Sequence, residues 1–98
     1  MSTGYEVVIT TDAQGDMAAL RAYDLRIVVK AIEDHLTHQP KQISRSRIRK
    51  LTQPAISQYR LRVRDYRVYY DVDDEEKRVI VLSVYEKGRG TTPHGGRR

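Results

Sequence analysis

The stretch YRLRVRDYRVYYDVDD, residues 59–74, decides the fold of this chain. Tyr59, Leu61 and Val63 alternate with Arg60, Arg62 and Arg64, the period of two that turns one strand face to a core and the other to water. A tight turn at Arg64 and Asp65 then folds the chain back. That turn sets Val63 opposite Tyr66, Arg62 opposite Arg67, Leu61 opposite Val68 and Arg60 opposite Tyr69. The turn lacks the glycine such turns prefer. The register nevertheless predicts one wholly apolar face and a second face of Arg60, Arg62, Arg67 and Tyr69. Like charges directly opposed in a ladder repel, so Arg62 against Arg67 is a local cost. Two readings follow. One is a phosphate-binding surface, since guanidinium forks fit phosphate oxygens and a tyrosine ring fits a base. The other is a solvated face that Asp71, Asp73 or Glu86 neutralises. On the sequence alone Arg67 is a surface charge whose removal would leave the fold intact.

Outward from the hairpin, YEVVIT (5–10) reads as a first strand. Thr11 and Gln14 have the spacing of a capping box and open a helix over 11–22, with Met17 and Leu20 facing the core and Ala13 or Tyr23 extending the stripe. Asp24 reads as a second N-cap. Leu25, Val28, Ile32 and Leu36 recur at helical spacing and carry a second helix to His38, ahead of Pro40. Residues 41–57 are polar and poorly periodic, a connection anchored at 48–51 and broken by Pro54. DVDDEEK (71–77) reads as an acidic turn, and RVIVLSVY (78–85), apolar on both faces, as a central strand. The order β-α-α-β-β-β predicts an α+β fold, two helices packed on a mainly antiparallel four-stranded sheet. One domain is expected over 1–89. Residues 90–98 have nothing apolar to bury and are expected to form a flexible basic tail.

Ninety-eight residues allow one modest core. The absence of cysteine excludes disulfides and thiolate metal sites. The N-terminus lacks a basic segment followed by a long apolar one, and no run approaches bilayer-spanning length, so a cytoplasmic protein without membrane contact is expected. Eighteen basic and 13 acidic residues give a net charge of +5. Residues 41–70 hold Lys41, Arg45, Arg47, Arg49, Lys50, Arg60, Arg62, Arg64 and Arg67 against Asp65 alone, a local charge of +8 that leaves the remainder at −3. Such a block suits a polyanionic partner or a solubilising face. His35 and His38 beside Glu33 and Asp34 lack a third ligand, and DVDDEE lacks the glycine and spacing of a calcium loop; no metal or cofactor is expected.

Strand, helix, helix, KL (50–51) and YRLRVRDYRVYYDVDDEEKRVIVLSV (59–84) together resemble the RelE/ParE superfamily of bacterial type II toxin–antitoxin toxins, over residues 5–87. The resemblance implies this fold and a cognate antitoxin protein as partner. It leaves the target open. The RelE-like branch cleaves messenger RNA on the ribosome without metal, the RNA's own 2′-hydroxyl attacking the scissile phosphate. The ParE-like branch inhibits DNA gyrase. A third class is a degenerate relative that binds only antitoxin or RNA. By resemblance Arg60 and Arg62 match the branch's basic pair on the first hairpin strand, which neutralises phosphates or orients the 2′-hydroxyl. Arg67 and Lys87 match the groups that stabilise developing charge. Arg45, Arg47, Arg49, Lys50, Arg64 and Tyr69 would then hold RNA around them. Two departures bear on the chemistry. Arginine stands where the branch carries lysine, and it stays protonated, so it cannot be a general base. The branch's C-terminal tyrosine is missing, which leaves His94 and Tyr85 as candidates for proton transfer; the other reading of His94 is a solvated tail residue. Retention of Arg67 and Lys87 leans toward the RNase branch.

Overall fold

In the computed structural model, which describes residues 4–87, the hairpin has the predicted register from Tyr59↔Tyr70 to Val63↔Tyr66, with Arg62 opposite Arg67. Its strands are β3 (Tyr59–Val63) and β4 (Tyr66–Asp73), and Arg64 in the turn takes φ 56°, the left-handed conformation that glycine usually supplies. Strand β4 continues through part of the predicted acidic turn. It pairs with β5 (Arg78–Glu86) from Tyr66↔Glu86 to Asp73↔Arg78, with a bulge at Tyr69/Tyr70. The turn itself is held by Asp73, whose Oδ1 accepts from the amides of Glu75 and Glu76, each at 3.1 Å.

The other elements are β1 (Glu6–Ile9), α1 (Thr11–Ala18), α2 (Ala22–Leu36) and β2 (Ile48–Lys50). The sheet has five strands in the order β1-β5-β4-β3-β2, one more than predicted. β1 is parallel to β5, and the other pairs are antiparallel. The additional strand is β2, whose Ile48 pairs with Leu61 at the point read as an anchor in the connection. Three residues with one buried side chain are too short for a period-two signal to show. β5 lies between β1 and β4, in keeping with its apolar composition.

Both helix starts differ from expectation by a short step. The cap of α1 is Thr10, one residue earlier, its Oγ1 accepting from the Ala13 amide at 3.2 Å. Gln14 donates instead to the Ile9 carbonyl at 2.9 Å. α1 ends at Ala18, short of residue 22. α2 begins at Ala22 behind Arg21, which makes no side-chain cap, and ends at Leu36 rather than His38. Asp24 therefore falls in the first turn, and its Oδ2 accepts from the Tyr66 hydroxyl at 2.9 Å. Tyr23 is 61% exposed and does not extend the apolar stripe. The core packs Ala13, Val28, Ile32 and Leu36 against Leu61, Val68, Tyr70, Val79 and Val81. The opposite sheet face carries two rows across the strands. Arg49, Arg60, Tyr69 and Ser83 form one, and Arg62, Arg67 and Tyr85 the other. No helix among the described residues is long and apolar enough to cross a membrane.

Candidate nucleic-acid interface

Sheet registry alone puts Arg49 opposite Arg60 and Arg62 opposite Arg67. Lys87 joins them because its amide donates to the Asp65 carbonyl at 2.6 Å, tying the end of β5 to the hairpin turn. The result is a cleft of about 380 Å³ whose lining includes Arg45, Arg49, Arg60, Arg62, Arg67 and Lys87 and, among the described residues, no acid. Four of the predicted catalytic residues, Arg60, Arg62, Arg67 and Lys87, thus share one wall.

Their environments differ. Arg62 is exposed and Arg60 is half-buried, with its Nε enclosed and without a hydrogen-bond partner. Burial lowers the Arg60 pKa first, and the charges of Arg67, Arg49 and Arg62 lower it further; a guanidinium so placed remains cationic at neutral pH. Arg67 corrects the sequence reading. It is 8% exposed rather than a surface charge, and its Nη1 donates to the carbonyls of Arg64 at 3.1 Å and Tyr66 at 3.0 Å. Two of the acids nominated to neutralise the arginines are engaged elsewhere. Asp71 accepts from the Gln58 amide at 2.7 Å, and Asp73 caps the 73–76 turn. The ion pairs Lys30–Asp34, Lys41–Asp74 and Arg78–Glu6 involve none of the cleft residues. Concentrated cations with forked donors can hold phosphate oxygens and stabilise charge that builds on them. They cannot take up a proton.

The other predicted residues among those described lie outside this lining. Lys50 and Arg64 are exposed beside it. Arg47 borders a separate hollow with His35 and His38, where burial first and then the Arg47 charge lower the His35 pKa. Tyr69 is adjacent to Arg60 across the ladder and packs on Tyr85, ring centroids 5.3 Å apart at 54°. Tyr85 stands opposite Arg67 but lines a different cleft with Asp12 and Asp16. Its phenol pKa is raised, chiefly by burial and against an opposing hydrogen bond with Ser83, with those carboxylates adding to the rise, which makes it a weaker acid. His94 lies outside the described residues. Asp12, Asp16 and Ser83 escaped the sequence reading. Nothing in TDAQGD connects it to residues 83–85; only the parallel pairing of β1 with β5 does.

A family model described as the ParE toxin of the type II toxin–antitoxin system parDE matches residues 7–89. Among solved structures, a chain of the RelBE2 toxin–antitoxin complex from Mycobacterium tuberculosis is 27% identical with a TM-score of 0.75, covering 86% of this chain and 99% of that one. A chain of the archaeal RelE–RelB complex from Pyrococcus horikoshii is 23% identical with a TM-score of 0.63, covering 91% and 100%, a likeness of fold. No curated protein matches the sequence.

Proposed function

Because this chain belongs to the ParE toxin family of type II toxin–antitoxin systems, we propose that it acts in the cytoplasm as a RelE-like, ribosome-dependent endoribonuclease restrained by a cognate antitoxin. The observation that carries this reading is that Arg60, Arg62, Arg67 and Lys87 share one cleft, acid-free among the described residues. In the reaction the 2′-oxygen of the RNA bonds to the scissile phosphorus and the bond to the 5′-oxygen breaks. The products are a 2′,3′-cyclic phosphate and a 5′-hydroxyl. One proton leaves the 2′-hydroxyl and one reaches the departing oxygen. Arg60 and Arg62 bind the phosphates, and Arg67 and Lys87 face the charge that grows on the phosphorane. Fixed guanidiniums supply the positive charge that a metal supplies in other nucleases. Proton transfer falls to groups other than these four cations, with Tyr85 and His94 as this chain's candidates. Arg45 and Arg49 extend the phosphate track. An antitoxin with an acidic segment would cover the cleft.

Inhibition of DNA gyrase is the second reading, favoured by the name of the matching family model. Inducible expression in bacteria without antitoxin, with mapping of messenger 5′ ends, separates the two. Growth arrest with new 5′ ends inside translated codons is the expected result. Arrest with intact messages and broken DNA moves the target to gyrase. Folded protein without arrest overturns both. Salt offers an independent check on the cleft. Contacts to about three phosphates give a log–log slope of about −2, so ribosome or RNA affinity should fall about 20-fold between 50 and 200 mM salt. A flat dependence would remove the cleft from binding.

A further inference from the structure

The hollow beside the end of α2 has a volume of about 230 Å³, and its lining includes His35, His38, Gln39, Gln42, Ser44 and Arg47. Ser44 and Ile48 line both this hollow and the basic cleft, so loop 44–48 is the wall between them. The main chain braces that loop. The Ser44 Oγ accepts from the amides of Arg47 and Ile48, each at 3.0 Å, and the Arg47 carbonyl accepts from the Arg62 amide at 2.8 Å. Arg45 thus lines the cleft and Arg47 the hollow from one fixed loop. None of the ion pairs among the described residues involves Arg47. Asp34 is the carboxylate in the lining, and it pairs with Lys30 at 3.5 Å. Two main-chain oxygens past the helix end are occupied, that of Thr37 by the Tyr5 amide at 2.6 Å and that of Gln39 by the Gln42 amide at 3.2 Å. The side chains that remain are mostly donors: a guanidinium, two imidazoles and two carboxamides.

We propose that this hollow seats a further phosphate of the RNA strand whose other phosphates lie along the arginines, the strand passing over loop 44–48. The inference rests on the RNA reading above. Arg47 supplies a forked donor that is always charged, and Gln39 and Gln42 supply neutral ones. His35 supplies a donor whose charge depends on the occupant. Burial, and then the Arg47 charge, hold its pKa below the ordinary value, against an upward pull from Asp34. A phosphodiester beside it offsets the guanidinium and raises that pKa, so the imidazole takes up a proton as RNA binds. The C-terminal end of α2 favours the imidazolium in the same sense. Asp34, His38 and Arg47 are the other ionisable groups in the lining among the described residues. Binding should therefore tighten as pH falls from about 8 to about 6, an interval in which the cations of the basic cleft do not titrate.

Anisotropy titrations of the full chain with a 2′-O-methyl uridine dodecanucleotide lacking terminal phosphates test this, since the methyl group blocks the attacking oxygen. At fixed salt the affinity should rise about fivefold from about pH 8 to about pH 6, within the tenfold that a full unit of pKa shift on binding would give. His35→Gln keeps a donor but cannot titrate, so it should remove that rise with little change in melting temperature. Arg47→Gln, at an exposed position whose main-chain bonds survive, should flatten the log–log salt slope by about 0.7. Salt-dependent binding without a pH rise, or with an equal rise in folded His35→Gln, overturns the subsite and leaves the RNA reading standing. An unchanged salt slope in Arg47→Gln overturns it as well, whether or not His35→Gln folds. No salt-dependent binding of the unaltered chain overturns both readings.

Discussion

Arg67→Ala should abolish growth arrest, lower the cleavage rate 100-fold or more, and also destabilise the fold. The catalytic effect follows from removing one preorganised donor aimed at developing charge, which typically costs about 10²–10³ in rate. The structural effect follows from burial. The side chain is 8% exposed and its Nη1 holds two carbonyls beside the hairpin turn. Leaving those groups without a donor costs about 1–3 kcal/mol. Relief of repulsion from Arg62, directly across the ladder, offsets part of it. Arg62→Ala is the informative control, because Arg62 is exposed and its loss should impair activity with little change in melting temperature. Toxicity assays and urea melts of both variants decide the matter. A folded Arg67→Ala protein that still arrests growth would remove Arg67 from the chemistry, and an unchanged melt would show that its carbonyl contacts contribute nothing.

Tyr70→Ala should leave the protein largely unfolded at 25 °C. Tyr70 is fully buried, stacks on Tyr59 with centroids 5.6 Å apart, and donates to the Pro40 carbonyl at 2.6 Å. Truncating a buried aromatic costs about 3–5 kcal/mol, against a total stability of about 5–15 kcal/mol that a chain this small meets at the low end. Tyr70→Phe keeps the ring and orphans only the Pro40 carbonyl, a loss of about 1–3 kcal/mol. The pair also has a pH signature. Burial, and then Tyr59, raises the folded-state pKa of Tyr70 above its ordinary 10.0. Burial, the Asp24 hydrogen bond and nearby carboxylates push Tyr66 up to about 12. Above pH 10 the unfolded chain releases these protons while the folded one retains them, so stability present below pH 10 falls as pH rises further. Tyr70→Phe should flatten that alkaline decline, measured as urea midpoints between neutral and alkaline pH. An equally steep decline in the variant would place the titrating group elsewhere.

Local period alone was enough to specify the hairpin and the buried stripe of the second helix. Alternation in 59–63 and a turn at 64–65 specify the pairing of Arg62 with Arg67, and the structure has that register. Helical spacing specified Val28, Ile32 and Leu36 as core, and both are short-range patterns that need no knowledge of distant residues. The same alternation gathered Arg60, Arg62 and Arg67, so the heart of the candidate site was legible before the fold. Only tertiary structure decided what depends on contacts between segments far apart in the chain. It enlisted 48–50 as a fifth strand against Leu61, drew Asp24 away from capping to meet Tyr66, and brought Lys87 to Asp65. It also buried Arg67 over its own turn and set Asp16 beside Val84, 68 residues away in sequence. A residue's type and spacing report which face it occupies. Whether that face meets water, a carbonyl or another strand is settled by segments whose arrival no local pattern encodes.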